Sequence, residues 1–276
     1  MRFVAPAREA IAPAVLAQPP LSLWRVFDEF LCGRDWPDLA ALNAHAMTHQ
    51  FVAQTPQLLR DGLHYEQRIA QRGQIATRER NWHDLLNALV WLRFPQIKAA
   101  LNARQVEEIG KAGPKRRTRA QCALTHFDEA GVIVVLRDST LLRLWDAHDW
   151  HGLFWRERAA WTDGRVHAIV FGHALLEHAL VPAQLLVGKA LVSRQSGNVE
   201  NALTRLADAI GLGDLLDDPQ QLRPLPLSGI PGWCVDNGSE DFYRNAPCFQ
   251  PLRAGRRYPP ALHPQACVRI GLHHDI

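Results

Sequence analysis

The chain has 276 residues, enough for one large domain or two small ones and for a substantial core. Its 47 % apolar and 21 % charged content is that of a globular chain and excludes a disordered one, while a formal charge of +3 gives no electrostatic reason to expect a nucleic acid or an acidic membrane as partner. Five cysteines (Cys32, Cys122, Cys234, Cys248, Cys267) are scattered without a C-x-x-C pair, so the expectation is five free thiols rather than a disulfide framework or zinc finger. No apolar run reaches the length of a membrane span. An apolar patch at Ala10 to Ala17 is interrupted by Pro13 and preceded by Arg8 and Glu9, which argues against a secretion signal and for a cytoplasmic protein.

In chain order, residues 1–20 carry four prolines and read as an extended arm, with a single α+β domain filling 21–276. Two short helices are expected between Leu21 and Gln50, the second opened by Asp35-Trp36-Pro37. Tyr65 to Thr77 reads as a hairpin turning near Gln71-Arg72-Gly73. Trp82 to Phe94 is the clearest helix. Asn81 supplies its N-cap, and Asp84 stands at the third position, from which a carboxylate can reach back to the cap. Pro95 opens a further helix that Gly110 ends.

Cys122 to Phe127 and Val132 to Leu136 read as two strands around a turn at Asp128-Glu129-Ala130-Gly131. Arg165 to Phe171 is a strand that passes through Gly172 into a helix from His173 to Leu180. Leu185 to Ser193 is a strand and Val199 to Ile210 a helix. From Asp217 onward the chain is rich in Pro and Gly, with a type II turn at Ile230-Pro231-Gly232-Trp233, and reads as an irregular segment packed over the domain. The expected architecture is a mostly antiparallel sheet with packed helices.

Four places carry residues suited to chemistry. On the Trp82 helix, residues step by about 100° around the axis. Trp82, Leu85, Leu86, Leu89 and Leu92 then share an apolar face, and His83 and Asn87, four apart, lie just beyond its edge at Val90. Placed there, both need hydrogen-bond partners. As a structural pair they bond to buried neighbours; as a functional pair His83 is a base or ligand.

His173 and Glu177, also four apart, share a face of the helix after Gly172. A first-turn position disfavours the imidazolium and keeps the His173 ring neutral, as a metal ligand or base requires. The H-x-x-x-E-H spacing matches neither zinc-protease motif. Asp128 and Glu129 form a carboxylate pair able to hold a divalent cation, with His126 on the face of Asp128 if the strand continues. The run Lys111 to Arg119 is the densest in charge, yet no aromatic residue interleaves it to stack a base.

Several of these segments together resemble the bacterial domain-of-unknown-function 3025 family. They are Thr77-Arg78-Glu79-Arg80-Asn81-Trp82-His83-Asp84 running on to Pro95 and Lys98, Phe127-Asp128-Glu129-Ala130-Gly131, Phe171-Gly172-His173 with Glu177, and Pro231-Gly232-Trp233 with Asp241-Phe242-Tyr243. The likeness covers about 65–253. It implies a bacterial protein whose whole length is one family domain, and it assigns no role to any residue.

On chemistry alone the leading reading is a metal-assisted hydrolase. A divalent metal would be held by His83, His173, Asp128 and Glu177, with His83, Asn87 and Glu177 acting in catalysis and Asp84 and Asn87 behind the ligands. The rival is a non-catalytic binding or interaction protein in which the same polar residues are buried struts. The two differ in whether the three segments converge.

Overall fold

The computed structural model describes residues 3–113, 116–182, 184–194 and 198–262. Its centre is a four-stranded sheet in the order β4-β3-β5-β6, formed by β3 (Gly131–Leu136), β4 (Val166–Val170), β5 (Val187–Arg194) and β6 (Arg223–Pro226). A separate two-stranded sheet pairs β1 (Gln50–Ala53) with β2 (Gln74–Thr77).

The sheets depart from a mostly antiparallel arrangement. β3 runs antiparallel to β4, and β5 to β6, but the central pair β3–β5 is parallel, and so is β1–β2. The parallel centre explains the unbroken Gly-Val-Ile-Val-Val-Leu of β3: every residue of it is buried, which alternation would not allow.

The helices are α1 (Pro13–Leu16), α2 (Asp28–Leu31), α3 (Leu39–Ala44), α4 (Tyr65–Arg72), α5 (Trp82–Arg93), α6 (Pro95–Ala112), α7 (Arg119–Ala130), α8 (Thr140–Asp146), α9 (His173–His178), α10 (Val199–Gly211) and α11 (Glu240–Asn245). The first residues are less extended than expected. They carry α1 and a 3-10 turn at Arg8–Ala10, and Arg8 is buried with its guanidinium on the carbonyls of Phe30 and Gly33.

Two expectations are overturned. Tyr65 to Thr77 is no hairpin: α4 ends at Gly73, whose φ of 64° gives the left-handed helix stop, and β2 then pairs with β1. Cys122 to Phe127 is no strand either, because Arg119–Ala130 is one helix. Thr118 starts it through a reciprocal capping box with Gln121, a local signal that outweighs the short apolar run read as β. Asp128 and Glu129 therefore stand on its last turn instead of in a β-turn, and His126 is exposed on it.

The Pro-rich tail is more ordered than expected, supplying α11 and β6, whose two prolines sit at the sheet edge where a missing N–H costs nothing. The turn at Ile230 to Trp233 has the expected geometry, with Gly232 at φ 80° and the Trp233 N–H donating to the Ile230 carbonyl. Four of the five thiols are free; Cys267 lies outside the described residues. Among the described residues no helix is long and apolar enough to cross a membrane.

What places the candidate residues is a backbone junction between two glycines. The Gly131 carbonyl accepts from both the Phe171 and Gly172 N–H groups, each at 2.9 Å. A Cβ on Gly172 would stand 2.4 Å from the Gly131 nitrogen and 2.5 Å from the Glu129 carbonyl. Only glycine permits that approach. It seats the start of α9 against the end of α7, with Phe171 stacked on Phe127 at 5.0 Å between ring centroids. Gly172→Ala is therefore expected to lower stability by about 1–3 kcal/mol or more, as overpacking against rigid backbone does. Chemical denaturation checks this, and an unchanged midpoint would contradict the junction's role.

Candidate functional site

Three helix ends meet beside the Gly131–Gly172 junction. α5 brings His83 on its first turn, α9 brings His173 and Glu177 one turn apart, and α7 brings Asp128 and Glu129 on its last. The Nε2 atoms of His83 and His173 are 3.1 Å apart, and His173 Nε2 is 3.5 Å from Glu129 Oε2. One ligand atom from each of His83, Glu129 and His173 can be chosen so that all three lie within 4.8 Å of one another.

The other nitrogen of each ring faces a different acid. His83 Nδ1 is 3.0 Å from Glu177 Oε2. His173 Nδ1 is buried without a hydrogen-bond partner of ordinary length, and Asp128 Oδ2 lies 4.0 Å from it. Asp128 itself is held by Lys98, whose Nζ donates to its Oδ1 at 2.6 Å.

Of the residues expected from sequence, His83, His173, Asp128 and Glu177 thus come together, though not around one point. Glu177 and Asp128 stand behind the rings, and Glu129 reaches the space between them. Asn87 is fully occupied: its Nδ2 donates to the Tyr65 hydroxyl at 3.0 Å and its Oδ1 accepts from Lys98 at 2.9 Å. Asp84 does not reach back to the cap. Asn81 accepts from the Asp84 N–H, while the Asp84 carboxylate takes the backbone N–H, Nε and Nη2 of Arg78 at 2.6, 3.0 and 2.7 Å. A guanidinium fork offers charge-assisted bonds that a lone cap N–H cannot match.

Electrostatics separate the two rings. The hydrogen bond to Glu177, reinforced by the charge of Glu129, raises the His83 pKa above the ordinary histidine value in spite of partial burial. Burial drives His173 down to about 3, so its ring is neutral at any physiological pH. Burial raises the Glu129 carboxyl. Desolvation acts most strongly on Asp128 and raises it, but the charge and hydrogen bond of Lys98 and the neighbouring histidines together outweigh it and keep the carboxyl below the usual range. Access is uneven: the His173 side chain is 5 % exposed and Glu177 14 %, against 31 % for His83 and 42 % for Glu129. The cluster opens to solvent on the side of those two.

The charge run from Lys111 to Arg119 lies elsewhere. In its described part Lys111 pairs with Glu107 and Glu108, and Arg119 with Asp218; Lys115 lies outside the described residues.

A model of the family described as protein of unknown function (DUF3025) matches residues 49–253. The chain belongs to the DUF3025 family. No curated protein and no solved structure matches it. His83, Asp128, Glu129, His173 and Glu177 all fall within the matched region, as do Lys98 and Asn87.

Sequence reasoning gave Lys98 no part in the site and left Glu129 out of the ligand set. The signal for Lys98 was its place three residues after Pro95, on the first turn of α6 and among apolar residues. The Thr118–Gln121 capping box would have put Glu129 on a helix end.

Behind this cluster a second buried acid is set apart. Glu66 accepts from Asn102 Nδ2 at 2.6 Å, and burial raises its carboxyl to about 7. A carboxyl with a higher pKa folded than unfolded makes the folded state bind more protons, so stability falls as pH rises from about 4.5 to about 7. Glu66→Gln should remove that slope, worth roughly 3 kcal/mol at most across the window. Urea midpoints at pH 4.5 and 7.5 check it; an unaltered slope in the variant would show that other groups carry it.

Proposed function

We propose that His83, His173 and Glu129 bind one divalent metal ion and that the protein is a metal-assisted hydrolase. The observation that carries this reading is the convergence of lone pairs. Glu177 on Nδ1 of His83 favours the proton there and leaves the His83 Nε2 as an acceptor, 3.1 Å from the His173 Nε2, which is itself 3.5 Å from the Glu129 carboxylate. A cation among the three would satisfy all of them at once. Ligands about 2.0–2.1 Å from a tetrahedral zinc ion stand about 3.3 Å from each other, close to the 3.1 and 3.5 Å separations here.

Two imidazoles and one carboxylate with an open side form the donor set of a catalytic zinc site, and they suit a borderline divalent ion better than calcium or magnesium. When bound, such an ion supplies Lewis acidity and an activated water. Glu177 fixes the His83 ring and raises its basicity, the usual task of an acid behind a ligating histidine. Asn87, with both ends of its amide engaged, supports rather than reacts.

A second reading has its own observation. Glu177 raises the His83 pKa, and a protonated His83 would bridge Glu177 and His173 with two N–H donors. In that case the cluster is a buried strut of a non-catalytic binding protein.

One set of measurements separates them. Metal content of protein purified without chelator, and calorimetric titration with zinc, are expected to give one equivalent for the wild type. His83→Ala, His173→Ala and Glu129→Gln should lose it while melting cooperatively. If the wild type shows no saturable binding and His83→Ala chiefly lowers stability by about 1–3 kcal/mol, the strut reading replaces the metal site.

A further inference from the structure

We propose that the notch between Trp36 and Trp82 is a guanidinium-binding socket, and that Arg8 fills it as an intramolecular ligand, which makes the N-terminal arm a releasable latch. This is independent of the metal reading.

From Phe3 to Pro19 the arm has one buried residue, and it is the charged Arg8, 8 % exposed. Val4 and Glu9 face solvent, while Ile11, Val15 and Leu16 are only partly covered. An arm held by ordinary packing buries its apolar side chains first, because a buried charge is costly without partners. Here the order is reversed, so the place Arg8 enters has to accommodate a cation.

Its walls do so. The Arg8 guanidinium carbon lies 4.9 Å from the Trp36 ring centroid and 4.9 Å from that of Trp82, within cation–π reach of both. Nη2 donates to the Phe30 carbonyl at 2.6 Å, and Nε to the Gly33 carbonyl at 3.0 Å. Among the described residues no carboxylate forms an ion pair with Arg8; Asp35 acts on it only from a distance. Indole faces with carbonyl oxygens suit a planar, weakly hydrated guanidinium better than a compact ammonium. All these walls come from residues 30–82. Trp36 and Trp82 also brace each other, with 4.9 Å between ring centroids, so the arm contributes the plug and none of the socket.

The fit is incomplete in a way that favours release. Arg8 Nη1 is buried with no hydrogen-bond partner, so the bound arm forgoes a bond that water would supply. The closed latch lies on the two helices that carry the histidines. Trp82 precedes His83 on α5, and Phe3 stacks on His178 of α9 with 3.8 Å between ring centroids.

Chemical rescue tells a socket from a packing contact. The probe is methylguanidinium chloride at millimolar concentration, well below its denaturing range. Arg8→Ala should lower the urea midpoint, and methylguanidinium should restore it saturably where methylammonium at equal ionic strength does not. Adding Trp36→Ala should abolish the rescue, and the wild type, its socket filled, should show no saturable response. Elastase cleavage within the arm reads the latch. It should be about tenfold faster in Arg8→Ala and stay fast with methylguanidinium present, since the probe fills the socket without tethering the arm.

A folded Arg8→Ala that takes up no methylguanidinium, recovers equally in methylammonium, or is cleaved at the wild-type rate overturns the proposal. If Arg8→Ala does not fold, Arg8→Lys replaces it in the cleavage assay: its ammonium lacks the planar fork and should release the arm, and wild-type protection would refute the socket.

Discussion

The approach of the Gly131 and Gly172 backbones is the constraint on which the rest of the arrangement depends. Two N–H groups on one carbonyl, with no Cβ between the segments, fix the start of α9 against the end of α7. That contact does two things at once. It closes the core, where Phe127 and Phe171 stack beneath it and β3 runs buried along its whole length. It also sets His173 beside Asp128 and Glu129, residues more than forty positions away in sequence. α5 packs on α9 and adds His83, and the ring-to-ring contact with His173 completes the cluster at 4.5 Å between centroids.

Around this junction polar groups are graded by depth. Lys98 and the neutral His173 lie inside, and the desolvation of the Lys98 ammonium is offset by its 2.6 Å charge-assisted bond to Asp128 and by the amide of Asn87. Asp128 follows, partly buried. His83 and Glu129 form the outer layer, half open to water. Such an order suits a site in which an inner layer fixes orientation while an outer layer meets a ligand. Both rings turn Nε2 toward the same space, where the Glu129 carboxylate also stands.

Much of the local structure was legible in the sequence because it is written in short-range signals. Asn81 and Pro95 mark the starts of α5 and α6, and the (i, i+4) spacing put His83 with Asn87 and His173 with Glu177 on shared faces. Where the reading failed, a longer-range effect was decisive. The apolar run after Cys122 fits a strand or a buried helix equally well, and only the capping box at Thr118 distinguishes them. The parallel pairing of β3 with β5 is invisible to local pattern because it spans a long crossover. Glu129 was weighed beside Asp128 as a carboxylate pair, but which of the two reaches the histidines follows from helix phase, which a turn does not have. Lys98 was passed over because a lysine among apolar residues normally reads as a solvent-facing break, and its true partners come from two other helices, α5 and α7.

Two histidine Nε2 atoms and one carboxylate oxygen are proposed to share a cation. X-ray absorption at the edge of the metal carried by the wild-type protein tests it most directly. The prediction is a single ion with two imidazole nitrogens and one or two oxygens at about 2.0–2.2 Å, and the loss of one imidazole shell in His173→Ala. A metal coordinated by sulfur, or a spectrum unchanged by that substitution, would contradict it.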